Sequence, residues 1–214
     1  NFVFQSALFM ENKNYQEDLQ HIRKMMEKSS RFISLSGISG VFAGLFALAG
    51  AIYVYFFFKK NEVDYLEGTV KYYEKDFIVH LVIVAMFIMV LAISSGAYFT
   101  IKKSKAHHLQ IWDATTKKLL YNFAIPLGIG GFFCAGLLYH GLHGLLSPAT
   151  LIFYGLALFN AGNYTFSDIK YLGLCEMALG IVSLFFLGYG LFFWAIGFGV
   201  LHIVYGLIMH KKYK

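Results

Sequence analysis

Six apolar runs, at about residues 32–58, 77–101, 119–140, 148–162, 169–187 and 191–210, leave this chain few ways to fold. About 20 apolar residues in a helix cross the ~30 Å hydrocarbon core of a bilayer. Backbone in lipid must satisfy its own hydrogen bonds, and a helix does so within a single segment. The pattern therefore predicts an all-α membrane protein, a bundle of six transmembrane helices. Composition supports this: 14% of the 214 residues are charged and the mean hydropathy is +0.59, whereas a soluble domain carries about 25% charge. The fourth run is short, at ~22 Å of helix.

The segments outside these runs are polar. Residues 1–9 (NFVFQSALF) look like the remnant of a protease-cleavable tag, and they lack the apolar core of a signal peptide. Residues 10–31 predict an N-terminal amphipathic surface helix. Tyr15, Leu19, Ile22 and Met26 recur at helical spacing, with Glu17, Asp18, Arg23, Lys24 and Lys28 elsewhere on the wheel. Such a helix rests on lipid, and docking to a partner is the alternative. Residues 32–210 form the predicted transmembrane domain and 211–214 a basic tail. Pro126 predicts a kink in the third span. Ser147-Pro148 reads as a cap and first-turn proline, and Thr165 with Asp168 as a Thr-x-x-Asp capping signal.

Charge placement orients the spans. Of 18 Lys and Arg, four lie between the first two runs, at Lys59, Lys60, Lys71 and Lys75. The rest flank the opposite ends, which predicts that both termini are cytoplasmic. The net charge of +6 is thereby read as topology and lipid affinity, and no nucleic acid is expected as a partner.

Ionisable residues inside apolar runs are costly and tend to be kept for function. Glu176 is the only acid within a run, and His202 falls at about the same depth in the next one. Gly173, Gly180 and Ser183 share a stripe with Glu176; Ala195, Gly199 and Gly206 share one with His202. Small residues let helices approach closely, so these stripes predict that the fifth and sixth spans pack together and bring Glu176 to His202. A lone buried carboxylate is relieved by a proton or an imidazolium, so the pair can titrate as a unit. Ser94, Ser95, Asn160 and Tyr205 lie at comparable depth and complete an expected polar pocket. The short fourth span leaves room for an inlet from the cytoplasm. A structural hydrogen bond locking the two helices is the competing reading.

A second layer holds His80, His140 and His143 near the opposite face. Three imidazoles at one level can bind a transition metal, with Glu74 or Asp76 as a fourth ligand; the alternative is helix-end histidines that simply meet water. In span one, Ser36, Gly40 and Gly44 form an i, i+4 row suited to close packing, either within the bundle or with a second copy or another membrane subunit. Cys134 and Cys175 both lie in apolar runs and suggest no disulfide framework. Phosphate-loop, zinc-helix and nucleophile-elbow motifs are missing from the sequence, and no catalytic residue is assigned.

The run SSRFISLSGISGVFAGLFALAG and the ending LGYGLFFWAIGFGVLHIVYG resemble an uncharacterised family of bacterial six-span inner-membrane proteins. The resemblance implies a bacterial inner-membrane location and no activity. Two classes of function stay open. One is a non-enzymatic protein that binds or conducts a small cation, proton or apolar ligand at the Glu176/His202 pocket. The other is a metal-dependent membrane enzyme acting on a lipid or isoprenoid. An accessory subunit of a membrane complex is a third reading.

Overall fold

The apolar runs are helices in the computed structural model, which describes residues 36–61, 75–106 and 111–213. Helix α1 spans Gly37–Lys60, α2 Lys75–Ala106 and α3 Ala114–Tyr139. A 3-10 turn, His143–Leu145, leads into α4, Leu146–Ala161; α5 spans Asp168–Phe185. A second 3-10 turn, Leu187–Tyr189, opens the last helix. That helix is continuous but not uniform: α6, Gly190–Trp194, passes through a π-helical segment, Ala195–Leu201, into α7, His202–Lys212. Among the described residues there is no strand. The segment predicted as a surface helix at 10–31 and Glu74 lie outside the described residues.

Five of these helices are long and apolar enough to cross a membrane: α1, α2, α3, His143–Ala161 and Leu187–Lys212. Helix α5 is not among them, because its 18 residues include Asp168, Lys170 and Glu176.

Helix ends differ in places from those the sequence suggests. Helix α2 continues to Ala106, past its apolar run, and its Lys103 Nζ donates to the carbonyl of Tyr213 at 3.0 Å. Helix α3 starts behind Asp113, whose Oδ1 accepts from both the backbone N and the hydroxyl of Thr116 at 2.7 Å. Those bonds hold the Asp113 carboxyl below the ordinary carboxylate range and satisfy one of the helix's free N–H groups. Helix α3 runs unbroken through Pro126. Ser147 does not cap α4: the helix already begins at Leu146, and the Ser147 hydroxyl donates to the carbonyl of Gly190 at 2.5 Å. That bond ties the start of α4 to the start of the last helix. Asp168 is also not spent on capping. It accepts from Lys212 Nζ at 3.0 Å and from the Tyr213 hydroxyl at 2.6 Å, closing α5 onto the end of α7.

Glycine seams set which helices are neighbours. A Cβ on Gly155 of α4 would sit 2.6 Å from the carbonyl of Gly173 on α5, and one on Gly180 would sit 2.6 Å from Ile152. In the second seam, a Cβ on Gly206 would sit 2.7 Å from the carbonyl of Gly37, and one on Gly44 would sit 2.6 Å from that of Gly199. The most extensive packing is accordingly α4 on α5 and α1 on the last helix, with α3 against α4 and α2 against α1. This corrects the sequence reading. The small residues flanking Glu176 draw in α4, and those flanking His202 draw in α1; α5 and the last helix touch each other at only a few places. The row Ser36, Gly40 and Gly44 lies at the seam with the last helix, where Ser36 is half-buried and its carbonyl accepts the Ser39 hydroxyl. Where α4, α5 and α7 converge, Leu158, Ile169, Leu172 and Met209 form a small apolar core.

Candidate functional site

Glu176 and His202 meet across the sparse interface between α5 and the last helix. His202 Nδ1 lies 3.3 Å from Glu176 Oε1, with the histidine side chain 7% and the glutamate 0% exposed. The same Nδ1 lies 3.0 Å from the carbonyl oxygen of Gly197. A carbonyl only accepts, so Nδ1 carries a proton. That N–H goes to the nearer oxygen, that of Gly197, and both oxygens of Glu176 are buried without a hydrogen bond. On the other side of the ring, His202 Nε2 lies 2.8 Å from the hydroxyl of Tyr154 on α4. With Nδ1 protonated, neutral imidazole accepts from Tyr154 at Nε2, whereas imidazolium donates to it.

The backbone makes this arrangement feasible. Gly197 lies five residues before His202, in the π-helical segment, where the wider turn is a recurrent feature of functional sites. Gly197 has no side chain, and a Cβ there would overlap Glu176 Oε2 and Leu151. The glycine therefore makes room for the carboxylate against the helix backbone, and the fully buried Leu151 closes the same space. Aromatic rings complete the surroundings. Phe198 stacks parallel to His202 at 6.0 Å between centroids, and Tyr154 and Trp194 each lie 4.9 Å from Phe198.

The other expected pocket residues are placed elsewhere. Ser94 is exposed on α2, and Ser95 donates to the carbonyl of Ala92 in its own helix at 2.9 Å. Asn160 is half-buried near the end of α4, with its backbone carbonyl accepting from Asn163 at 3.1 Å. The Tyr205 hydroxyl lies 3.8 Å from Cys175 Sγ. Tyr154 and Gly197 were not singled out in the sequence. Tyr154 carried a usable sign, since tyrosine favours the ends of a span and this one lies in the middle of α4.

The histidines at the other end have separate surroundings. His80 Nε2 lies 2.9 Å from the Tyr53 hydroxyl, and its ring stacks on Phe57 at 4.4 Å. His140 packs edge-on against Tyr139, and His143 lies in the 3-10 turn. Among the described residues no three His, Cys, Asp or Glu side chains form a group able to hold a metal ion.

A chamber of about 480 Å³ opens at this same end, bounded by α1, α2, the α3–α4 connection and the start of the last helix. It is not the cytoplasmic inlet suggested by the short fourth helix. It lies at the end opposite Asp168 and Lys212, and neither Glu176 nor His202 lines it.

No protein-family model matches the chain, and neither a curated protein nor a solved structure is similar to it.

Proposed function

We propose that this chain is an integral protein of the bacterial inner membrane, with six spans and both termini cytoplasmic, and that it takes up and releases a proton at Glu176 and His202. The membrane placement draws support from the outward-facing apolar surface: Ile83, Phe87, Phe132 and Phe185 are each more than half exposed. Exposure of so many large apolar side chains is costly in water and expected in lipid. Lys59 and Lys60 end α1 at one face; Lys102, Lys103, Lys105, Lys211 and Lys212 gather at the other, as the positive-inside bias requires. In this reading α5 is the fifth of the six spans, and Glu176 of the site is one of the three charged residues that lower its apolar character.

The observation that carries the proton reading is the Glu176 carboxylate, fully buried, with no hydrogen bond to either oxygen and an imidazole nitrogen 3.3 Å away. An ionised carboxylate in that position costs several kcal/mol unless a charge offsets it. One proton resolves this in two ways: carboxylic acid beside neutral imidazole, or carboxylate beside imidazolium. A hard metal cation fits less well, because it calls for about six oxygen ligands and the surroundings offer the two of Glu176 and the carbonyl of Gly197. Tyr154 at the far nitrogen extends the pair into a short relay. Burial of Glu176 corresponds to an occluded state.

Proton flux into liposomes containing the purified protein, driven by a pH gradient and read with an entrapped indicator, tests this. Wild type is expected to collapse the gradient and Glu176→Gln to stop it, with thermal stability retained. Wild-type flux no faster than empty liposomes, with Glu176→Gln changing only the melting temperature, would make the pair a structural lock.

A further inference from the structure

The chamber at the outer end is shaped for an amphiphile, and the proton centre does not use it. Its long walls are apolar: Ala51 and Val54 on α1, Val82, Ala85 and Met86 on α2. Its depth runs from Phe58 to Gly50 along α1 and from Ile78 to Ile88 along α2, or ~12–15 Å at helical rise. That is half of a ~30 Å hydrocarbon core, the depth of one leaflet. Its volume of about 480 Å³ falls within the ~300–1,000 Å³ of ligand sites. The polar groups gather on the α3–α4 side: His143, Ser147 and Thr150. Two of them have committed their hydroxyl protons, Ser147 to Gly190 and Thr150 to the Ser147 carbonyl, which leaves each hydroxyl oxygen as an acceptor. Among the described residues no Lys, Arg, Asp or Glu lines the chamber.

That charge pattern selects the head group. An anionic phosphate or carboxylate head would meet no cation among the described lining residues, at a large desolvation cost. An ammonium head would find no carboxylate among the described lining residues. A neutral imidazole at His143 offers both a hydrogen-bond donor and an acceptor. We infer that the chamber binds a single neutral long-chain amphiphile, with its hydrocarbon chain between α1 and α2 and a hydroxyl head at His143, Ser147 and Thr150. The inference rests on the membrane placement proposed above, since such a molecule arrives from the outer leaflet, but not on the proton reading. The inner end of the chamber is formed in part by Trp194, whose ring contacts Phe198, which in turn stacks on His202. An occupied chamber would therefore press on the aromatic wall of the Glu176 centre.

The chain has two tryptophans, and Trp112 is exposed at the opposite end. Trp112→Phe leaves Trp194 as a single fluorophore inside the chamber. The full-length variant is reconstituted in phosphatidylcholine vesicles and titrated with a brominated long-chain alcohol, the corresponding brominated fatty acid, or brominated phosphatidylcholine. Saturable quenching by the alcohol, while it is still a minor component of the bilayer, is the expected result. Ala85→Phe and Val82→Phe fill the chamber from α2 without entering a buried core, and each should abolish the saturable component. Quenching that rises linearly with all three probes and is untouched by both variants would overturn the inference. Saturation by the fatty acid as readily as by the alcohol would overturn the head-group assignment. If brominated phosphatidylcholine does not quench Trp194 at any level, the membrane placement itself fails and takes this inference with it.

Discussion

The carboxylate of Glu176 occupies the space that a side chain on Gly197 would fill: a Cβ at Gly197 would overlap Glu176 Oε2. The two residues come from different helices, and the carbonyl of Gly197 also holds the Nδ1 proton of His202 at 3.0 Å. Gly197→Ala is therefore expected to displace the carboxylate and to destabilise the fold by ~1–3 kcal/mol, the usual cost of overpacking. Thermal unfolding in detergent checks the stability. Loss of Glu176-dependent proton flux in the same variant checks the site.

Tyr154 supports the other face of the imidazole. Tyr154→Phe keeps the ring contacts with Phe198 and His202 and removes only the hydroxyl, which lies 2.8 Å from His202 Nε2. The expected loss is about 1 kcal/mol, that of one net hydrogen bond. If the melting temperature is unchanged, the Tyr154 bond contributes nothing to holding the ring.

The glycine seams predict sharply unequal outcomes for similar substitutions. Gly206→Val and Gly155→Val push a branched side chain into a neighbouring backbone, at 2.7 and 2.6 Å respectively from a carbonyl oxygen. Each should cost several kcal/mol or prevent folding, because a backbone cannot move aside as a side chain can. Gly128→Ala and Gly131→Ala meet open space and should stabilise α3 by about 0.5–1 kcal/mol through helix propensity. Melting temperatures of the four variants in one detergent decide this. Equal effects would contradict the packing of α4 on α5 and of α1 on α7.

Stability should fall at both ends of the pH range, and the cluster at Asp168 says why. Burial raises the pKa of Asp168, but the hydrogen bonds from Tyr213 and Lys212 and the charge of Lys212 outweigh that and hold its carboxyl below the ordinary 3.8. A depressed carboxylate contributes stability that is complete above its unfolded value and is lost as pH falls through the folded one. The acid limb therefore lies below about pH 4. Hydrogen bonding to Asp168 raises the pKa of Lys212, and burial together with the same carboxylate raises that of Tyr213. Raised values contribute stability that is complete below the unfolded pKa and lost as pH rises through the folded one, an alkaline limb above about pH 10. Asp168→Asn should flatten both limbs in a pH series of melting temperatures.

Much of the helix layout was legible in the sequence, because period, length and apolarity are local properties. The Glu176–His202 contact was also within reach, since two ionisable residues at one depth on consecutive runs have few other places to go. The neighbours of each helix were not. A stripe of small residues shows that some helix will approach closely but not which one, and here Gly173 and Gly180 meet α4 while Gly199 and Gly206 meet α1. Helix ends failed where a side chain had a better distant partner, as with Ser147 and Gly190 or Asp168 and Tyr213. The π-helical segment leaves no periodic trace, because Ala195–Leu201 is apolar on every face but its glycines.

The central claim is that Glu176 and His202 share one exchangeable proton, and infrared titration of the folded protein measures this most directly. Wild type should show a protonated-carboxyl band that grows or fades with pH, is lost in Glu176→Gln, and shifts in its pH dependence when His202→Gln removes the imidazole. A Glu176 band that is constant at every pH at which the protein stays folded, or one indifferent to His202→Gln, would contradict the account.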